Sequence, residues 1–156
     1  MKASVLVLGI GSPVVCDDAI GFHVIDQLRK KGLQDVDIEE ACTSGLDLIE
    51  IMLDYKKVIV VDAILSGQFP AGKVMVLGED SLSATVHGVN PHEANVGTTL
   101  ELGRSLEPDR MPKEVWFVAV EVNDVWTVSD NMTPEVESAV PEAVQTVIDL
   151  IDGKPV

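Results

Sequence analysis

Aromatic side chains are scarce in this sequence, at 4% of 156 residues. A packed interior must therefore be built from Val, Ile, Leu and Ala. Basic residues are scarce too: 11 Lys and Arg stand against 26 Asp and Glu, giving a net charge of −15. That balance repels phosphate backbones and anionic lipid headgroups, so no nucleic-acid partner is expected. It suits a cation or a basic peptide, although most of the carboxylates need do no more than solvate the surface. No apolar run approaches the ~20 residues of a membrane-spanning helix, so no membrane role is expected. The apolar start leads through Gly9-Ile10-Gly11-Ser12-Pro13 straight into charged, helix-like sequence. It reads as a buried first strand and not as a signal peptide. Two cysteines, Cys16 and Cys42, make no disulfide framework; they are expected to be free thiols in a reducing cytoplasm.

What is present is an alternation of apolar strands and amphipathic helices. The length predicts one domain, residues 1–156. Residues 4–10 form a continuous apolar run ending in glycine, the pattern of a strand buried on both faces. A helix is expected over 18–31, with Asp17 as its cap, Ile20, Val24, Ile25 and Leu28 on its buried side and Gly32 as its stop. A short strand follows at 37–41. Ser44 is placed to cap a second helix with Leu46, Ile49 and Leu53 as its stripe. Strands are expected at 57–63, 73–77 and 115–120, and a third helix at 91–106. Thr133-Pro134 opens a last helix with Val136, Val140, Val144, Val147 and Ile151 inward, and Pro141 predicts a kink or restart. This order predicts an α/β fold: three layers, α/β/α, around a mostly parallel five-stranded twisted sheet. The stretches 78–90 and 121–132 are long enough to form the rim of a site.

Gly9-Ile10-Gly11 has the placement of a dinucleotide-binding turn, but the match fails. Val14 stands where the third glycine belongs, and Asp17 and Asp18 would repel a pyrophosphate at the helix start. The loop instead offers carboxylate beside the end of strand one. If Asp17 is the cap, Asp18 is left to do something else. Asp62 closes the run Val58-Ile59-Val60-Val61, at the carboxyl end of a buried strand, where open α/β sheets place their crevices. A helix cap or a salt bridge competes with that reading. His92 sits at a loop-to-helix junction, while His23 falls inside a helix and His87 in a loop. Asp18, Asp62 and His92 together would form a borderline-hard ligand set for Zn, Ni, Fe or Mn with positions left open. Neither a Ser-His-Asp nor a Cys-His arrangement stands out, and the zinc signature H-E-x-x-H is absent.

Four segments resemble the hydrogenase maturation proteases, in order and spacing, over nearly the whole chain. They are Gly9-Ile10-Gly11-Ser12 with Asp17-Asp18-Ala19-Ile20-Gly21, then Thr43-Ser44-Gly45, then Val60-Val61-Asp62-Ala63, then Pro91-His92-Glu93. The sequence departs from the family pattern in the second loop, where Glu40-Ala41-Cys42 replaces aspartate and two glycines, and at Ser12 and Pro13.

The resemblance implies that Asp18, Asp62 and His92 bind a metal, and that Asp18 and Asp62 serve catalysis. It implies a metal-recognising endopeptidase, with an aspartic-type step as one option, that removes the C-terminal extension of a nickel-loaded [NiFe] hydrogenase large-subunit precursor. Nickel would arrive in that precursor, and no organic cofactor is expected. Asp62 and Glu40 are the candidate general bases if a carboxylate activates the water. Cys16 and Cys42 are possible extra ligands, with plain buried thiols as the alternative. Two other classes compete: a non-enzymatic nickel-binding chaperone that checks metal loading, and a nucleotide- or flavin-binding module.

Overall fold

A computed structural model describes residues 2–11, 19–41, 47–80, 91–124 and 131–154, and for 91–95 it describes the backbone alone. Among the described residues the strands are β1 (Val5–Ile10), β2 (Val36–Ala41), β3 (Lys57–Ile64), β4 (Val74–Gly78) and β5 (Glu114–Glu121). The helices are α1 (Ile20–Arg29), α2 (Asp47–Met52), α3 (Pro91–Leu106), α4 (Pro134–Glu137) and α5 (Val140–Ile151). The strands form one sheet in the order β2-β1-β3-β5-β4. All pairings are parallel except β4 with β5.

The pleat sends alternate side chains to opposite faces. Val7, Ile59, Val61, Val118 and Val120 pack with Ile20, Val24, Ile25 and Leu28 of α1 and Ala143, Val147 and Leu150 of α5. Leu6, Leu8, Val58, Val60 and Phe117 pack on the other side with Leu48, Ile49 and Met52 of α2 and Val96 and Leu100 of α3. Two aliphatic cores thus sandwich the sheet, as the continuous apolar strand runs require.

Several boundaries differ from expectation. Helix α1 starts at Ile20, two residues late, with Ala19 at its N-cap and no side-chain cap. Its start is set by packing: Ala19 and Ile20 are buried against the sheet. Asp17, Ser44 and Leu46 lie outside the described residues. In the short α2, Leu48 and Met52 are buried beside Ile49, and Leu53 is buried just past its end. The expected last helix is two: α4 ends at Glu137, and α5 restarts at Val140 with Pro141 in its first turn. A missing amide donor costs least there.

Candidate functional site

The connections fix where a crevice can form. From β1 the chain runs to β2 on one side; from β3 it runs to β4 and β5 on the other. The C-terminal ends of β1 and β3 are therefore the point where winding reverses, the usual place for a site in an open α/β sheet. Helix α1 is seated tightly on that edge. A Cβ on Gly21 would lie 2.7 Å from both the Ile10 and the Val61 carbonyl oxygens.

Asp62 sits one residue past the last rung between β3 and β1, which pairs Gly9 with Val61. On its other side it pairs with Ala119 of β5. Val61 and Ala63 point into the α1/α5 core, so Asp62 points to the α2/α3 face. It is 4% exposed, and its Oδ1 accepts the Ala63 amide at 2.8 Å. A buried carboxylate among aliphatic neighbours is costly unless hydrogen bonds or a cation satisfy it.

The first turn of α3 comes to the same end and face. Beyond its C-terminus the chain reaches the opposite edge, where the Lys113 amide donates to the Lys56 carbonyl at 3.1 Å. Sixteen helical residues rise about 24 Å, roughly the height of the sheet. The N-terminus of α3 therefore stands at the Asp62 edge. Val96 and Leu100, each 1% exposed, mark the stripe that packs on the sheet, and position 92 lies one turn before Val96. The backbone thus brings Asp62 and position 92 to one end and one face. The His92 side chain, and Asp18, Cys16, Cys42 and His87 altogether, lie outside the described residues. Gly11 and Ala19, which flank the segment holding Cys16 and Asp18, border this edge: the Gly11 amide donates to the Ala41 carbonyl at 3.2 Å, and Ala19 is buried. Among the described residues no group of three or more His, Cys, Asp or Glu could hold a metal ion.

Glu40 does not join Asp62. It pairs with Gly9, whose missing Cβ faces α1, and its carboxylate meets Arg29 of α1 at 3.9 Å. It is therefore on the opposite face, one strand further out. There it lines a cavity of about 280 Å³ with Phe22, His23, Asp26 and Arg29. Strand order decides this, and strand order is not written in the local sequence. His23 is exposed on α1, away from Asp62.

Among the described residues, displaced protonation equilibria are found at the other end of the strands. Tyr55 is pushed up, first by burial and then by donating to Asp37. Asp54 is held down by hydrogen bonds from Arg110, and Asp35 by hydrogen bonds from Ser4. These groups tie the strand-entry end together. One buried acid was missed by sequence reasoning: Glu121, 1% exposed, at the end of β5. The signal was available, since Glu121 ends an apolar run just as Asp62 does.

Comparison with known proteins bears on the family and the fold. A family model described as hydrogenase maturation protease (HycI) matches residues 22–150. The chain is similar to the hydrogenase 2 maturation protease of Escherichia coli K12, 26% identical over 147 residues, covering 92% of this chain and 88% of that one. Its fold is similar to that of the hydrogenase maturating endopeptidase HybD from E. coli, with TM-score 0.84 and 25% identity over 98% of this chain and 93% of the other. It is also similar in fold to the [NiFe] hydrogenase maturation protease HybD from Thermococcus kodakarensis, with TM-score 0.79 and 22% identity, covering 96% of this chain and 99% of that one. No described helix is long and apolar enough to cross a membrane.

Proposed function

The chain belongs to the hydrogenase maturation protease family, and from that premise we propose that it removes the C-terminal extension of a nickel-loaded [NiFe] hydrogenase large-subunit precursor. The observation that supports this reading most is Asp62: a buried carboxylate at the winding-reversal edge, on the face and at the end where α3 begins. Nickel is part of the substrate here, held by the precursor's own cysteines. Asp62, Asp18 and His92 supply further ligands to it. Binding the metal fixes one peptide bond beside the strand ends, which turns a loose encounter into a nearly unimolecular step. A water activated at the metal, or by the Asp18 or Asp62 carboxylate in an aspartic-type step, then adds to that peptide carbonyl, and the C–N bond breaks as the amine of the released C-terminal peptide leaves with the proton taken from the water. No organic cofactor takes part. The reaction belongs in the cytoplasm, away from membranes and nucleic acid, in keeping with the charge of −15.

The test is to incubate the purified chain with nickel-loaded precursor and with nickel-free precursor, and to weigh each by intact mass. The reading expects loss of one C-terminal peptide from the nickel-loaded form alone. Stable association without any loss of mass would replace the protease with a loading-checking chaperone.

A further inference from the structure

Because β5 lies between β3 and β4, the connection at 65–73 must cross the end of β5. The residue beneath it is Glu121, which holds the crossover at both ends. Its Oε2 accepts the Ser66 amide at 2.9 Å and the Gly67 amide at 3.4 Å, and its Oε1 accepts the Ser66 hydroxyl. Ser66 Oγ in turn accepts the Gln68 amide at 3.1 Å. At the far end the Gly72 amide donates to the Glu121 carbonyl at 2.7 Å, and the Glu121 amide donates to the Lys73 carbonyl at 2.9 Å. Gly72, at φ 92°, is pressed against α4: a Cβ there would lie 2.5 Å from the Glu135 carbonyl oxygen. Between these anchors stands Phe69, 44% exposed.

The pleat relates this anchor to the site. Val118 and Val120 point into the α1/α5 core, so Ala119 and Glu121 point to the face that Asp62 occupies. Ala119 is the register partner of Asp62, and Glu121 is the next residue outward on that face. A carboxylate buried this deeply is stable only when its oxygens are satisfied, and here three donors from the crossover satisfy them. The crossover is thereby held rigidly, with an aromatic side chain kept in water.

We infer that Glu121 is a positioning residue that sets the crossover as a fixed wall beside Asp62, with Phe69 as its apolar contact for the precursor protein. This rests on the site reading above. Glu121 does not touch the reacting atoms; it acts through the segment that Asp62's own strand runs into.

The experiment is steady-state cleavage of a nickel-loaded large-subunit precursor by Glu121→Ala, which removes every acceptor that holds the crossover's near end, and by Phe69→Ala. Each should raise KM about tenfold with kcat within about twofold of wild type, the signature of lost uniform binding. A role confined to stability would lower the folded fraction instead, reducing kcat per total protein at unchanged KM. A wild-type KM in either variant overturns the inference. If Glu121→Ala does not fold, Ser66→Ala takes its place, since it removes the hydroxyl's two bonds, one to the carboxylate and one from the Gln68 amide, and leaves the carboxylate its two amides. Asp62→Asn is run alongside. Full activity there would sink the site reading itself, whereas a dead Asp62→Asn with wild-type KM in the wall variants would sink only the wall.

Discussion

Gly9 of β1 and Gly21 of α1 lie against one another: a Cβ on Gly9 would come within 2.8 Å of the Gly21 carbonyl oxygen. The contact sets α1 down on the edge that carries Asp62. It leads directly to a prediction. Alanine is the better helix former by about 1 kcal/mol, which favours Gly21→Ala. But the added methyl meets the Ile10 and Val61 carbonyl oxygens at 2.7 Å, and neither can rotate away. Overpacking of this kind costs about 1–3 kcal/mol and should win. Gly97, also helical, has no described residue within 4 Å of its Cβ position. Chemical denaturation should find Gly21→Ala less stable than wild type and Gly97→Ala more stable. The same sign for both would refute the packing argument.

The single tyrosine gives a second prediction. Tyr55 is buried and donates to Asp37 Oδ2 at 2.7 Å, and both effects hold its proton on. The folded state thus keeps a proton that the unfolded chain releases near pH 10, so stability falls as pH rises above that value. Phenolate absorbance should appear only with alkaline unfolding, as followed by circular dichroism. A tyrosine that titrates near 10 in the folded protein would contradict the contact.

Asp54 gives a third, with the opposite sign. Arg110 donates to it twice, at 3.0 and 2.8 Å, and these bonds hold its carboxyl below the ordinary aspartate range. Its contribution is complete above about pH 3.9 and is lost as pH falls through the lowered value. Asparagine tolerates the positive φ of 71° at this position, so Asp54→Asn isolates the charge. The difference in Tm between wild type and Asp54→Asn should hold steady near neutrality and close below about pH 4. A gap that persists in acid would mean the pair contributes nothing through charge.

The acidic pair gives a fourth. Helix α1 has Ala19 at its N-cap and no side-chain cap, so no cap is lost in Asp17→Asn, which should fold and cleave normally. Asp18→Asn and His92→Ala should fold but lose cleavage by about 100-fold, equivalent to about 2.7 kcal/mol of transition-state stabilisation. A dead Asp17→Asn beside an active Asp18→Asn would exchange the two roles.

Much of the fold was legible because local patterns determine it. Buried parallel strands read as unbroken apolar runs, and residues 91–106 showed helix boundaries that the structure keeps as Pro91–Leu106. Pro141 announced the restart of α5. What the sequence hid is set by tertiary packing. The start of α1 moved because burial of Ala19 and Ile20, and not a cap, fixes it. The separation of Glu40 from Asp62 depends on which strands neighbour β1 and on the pleat of each. Glu121 gave the same local signal as Asp62, a carboxylate ending an apolar strand. Only the crossing of the chain above β5 shows that its oxygens bind Ser66 and Gly67. The family resemblance named Asp62 and His92 together; in the structure, helix length and strand direction put Asp62 and position 92 at one end and on one face of the sheet.

The most direct measurement compares wild type with Asp62→Asn on nickel-loaded precursor, followed by intact mass. The substitution keeps the shape of the side chain and its acceptor for the Ala63 amide, and removes the charge that a nickel ligand needs. The variant should give a native circular dichroism spectrum and cleave at least ~100-fold more slowly, a loss of about 2.7 kcal/mol. Release of the C-terminal peptide by a folded Asp62→Asn at the wild-type rate would contradict the assignment of this carboxylate to the reaction.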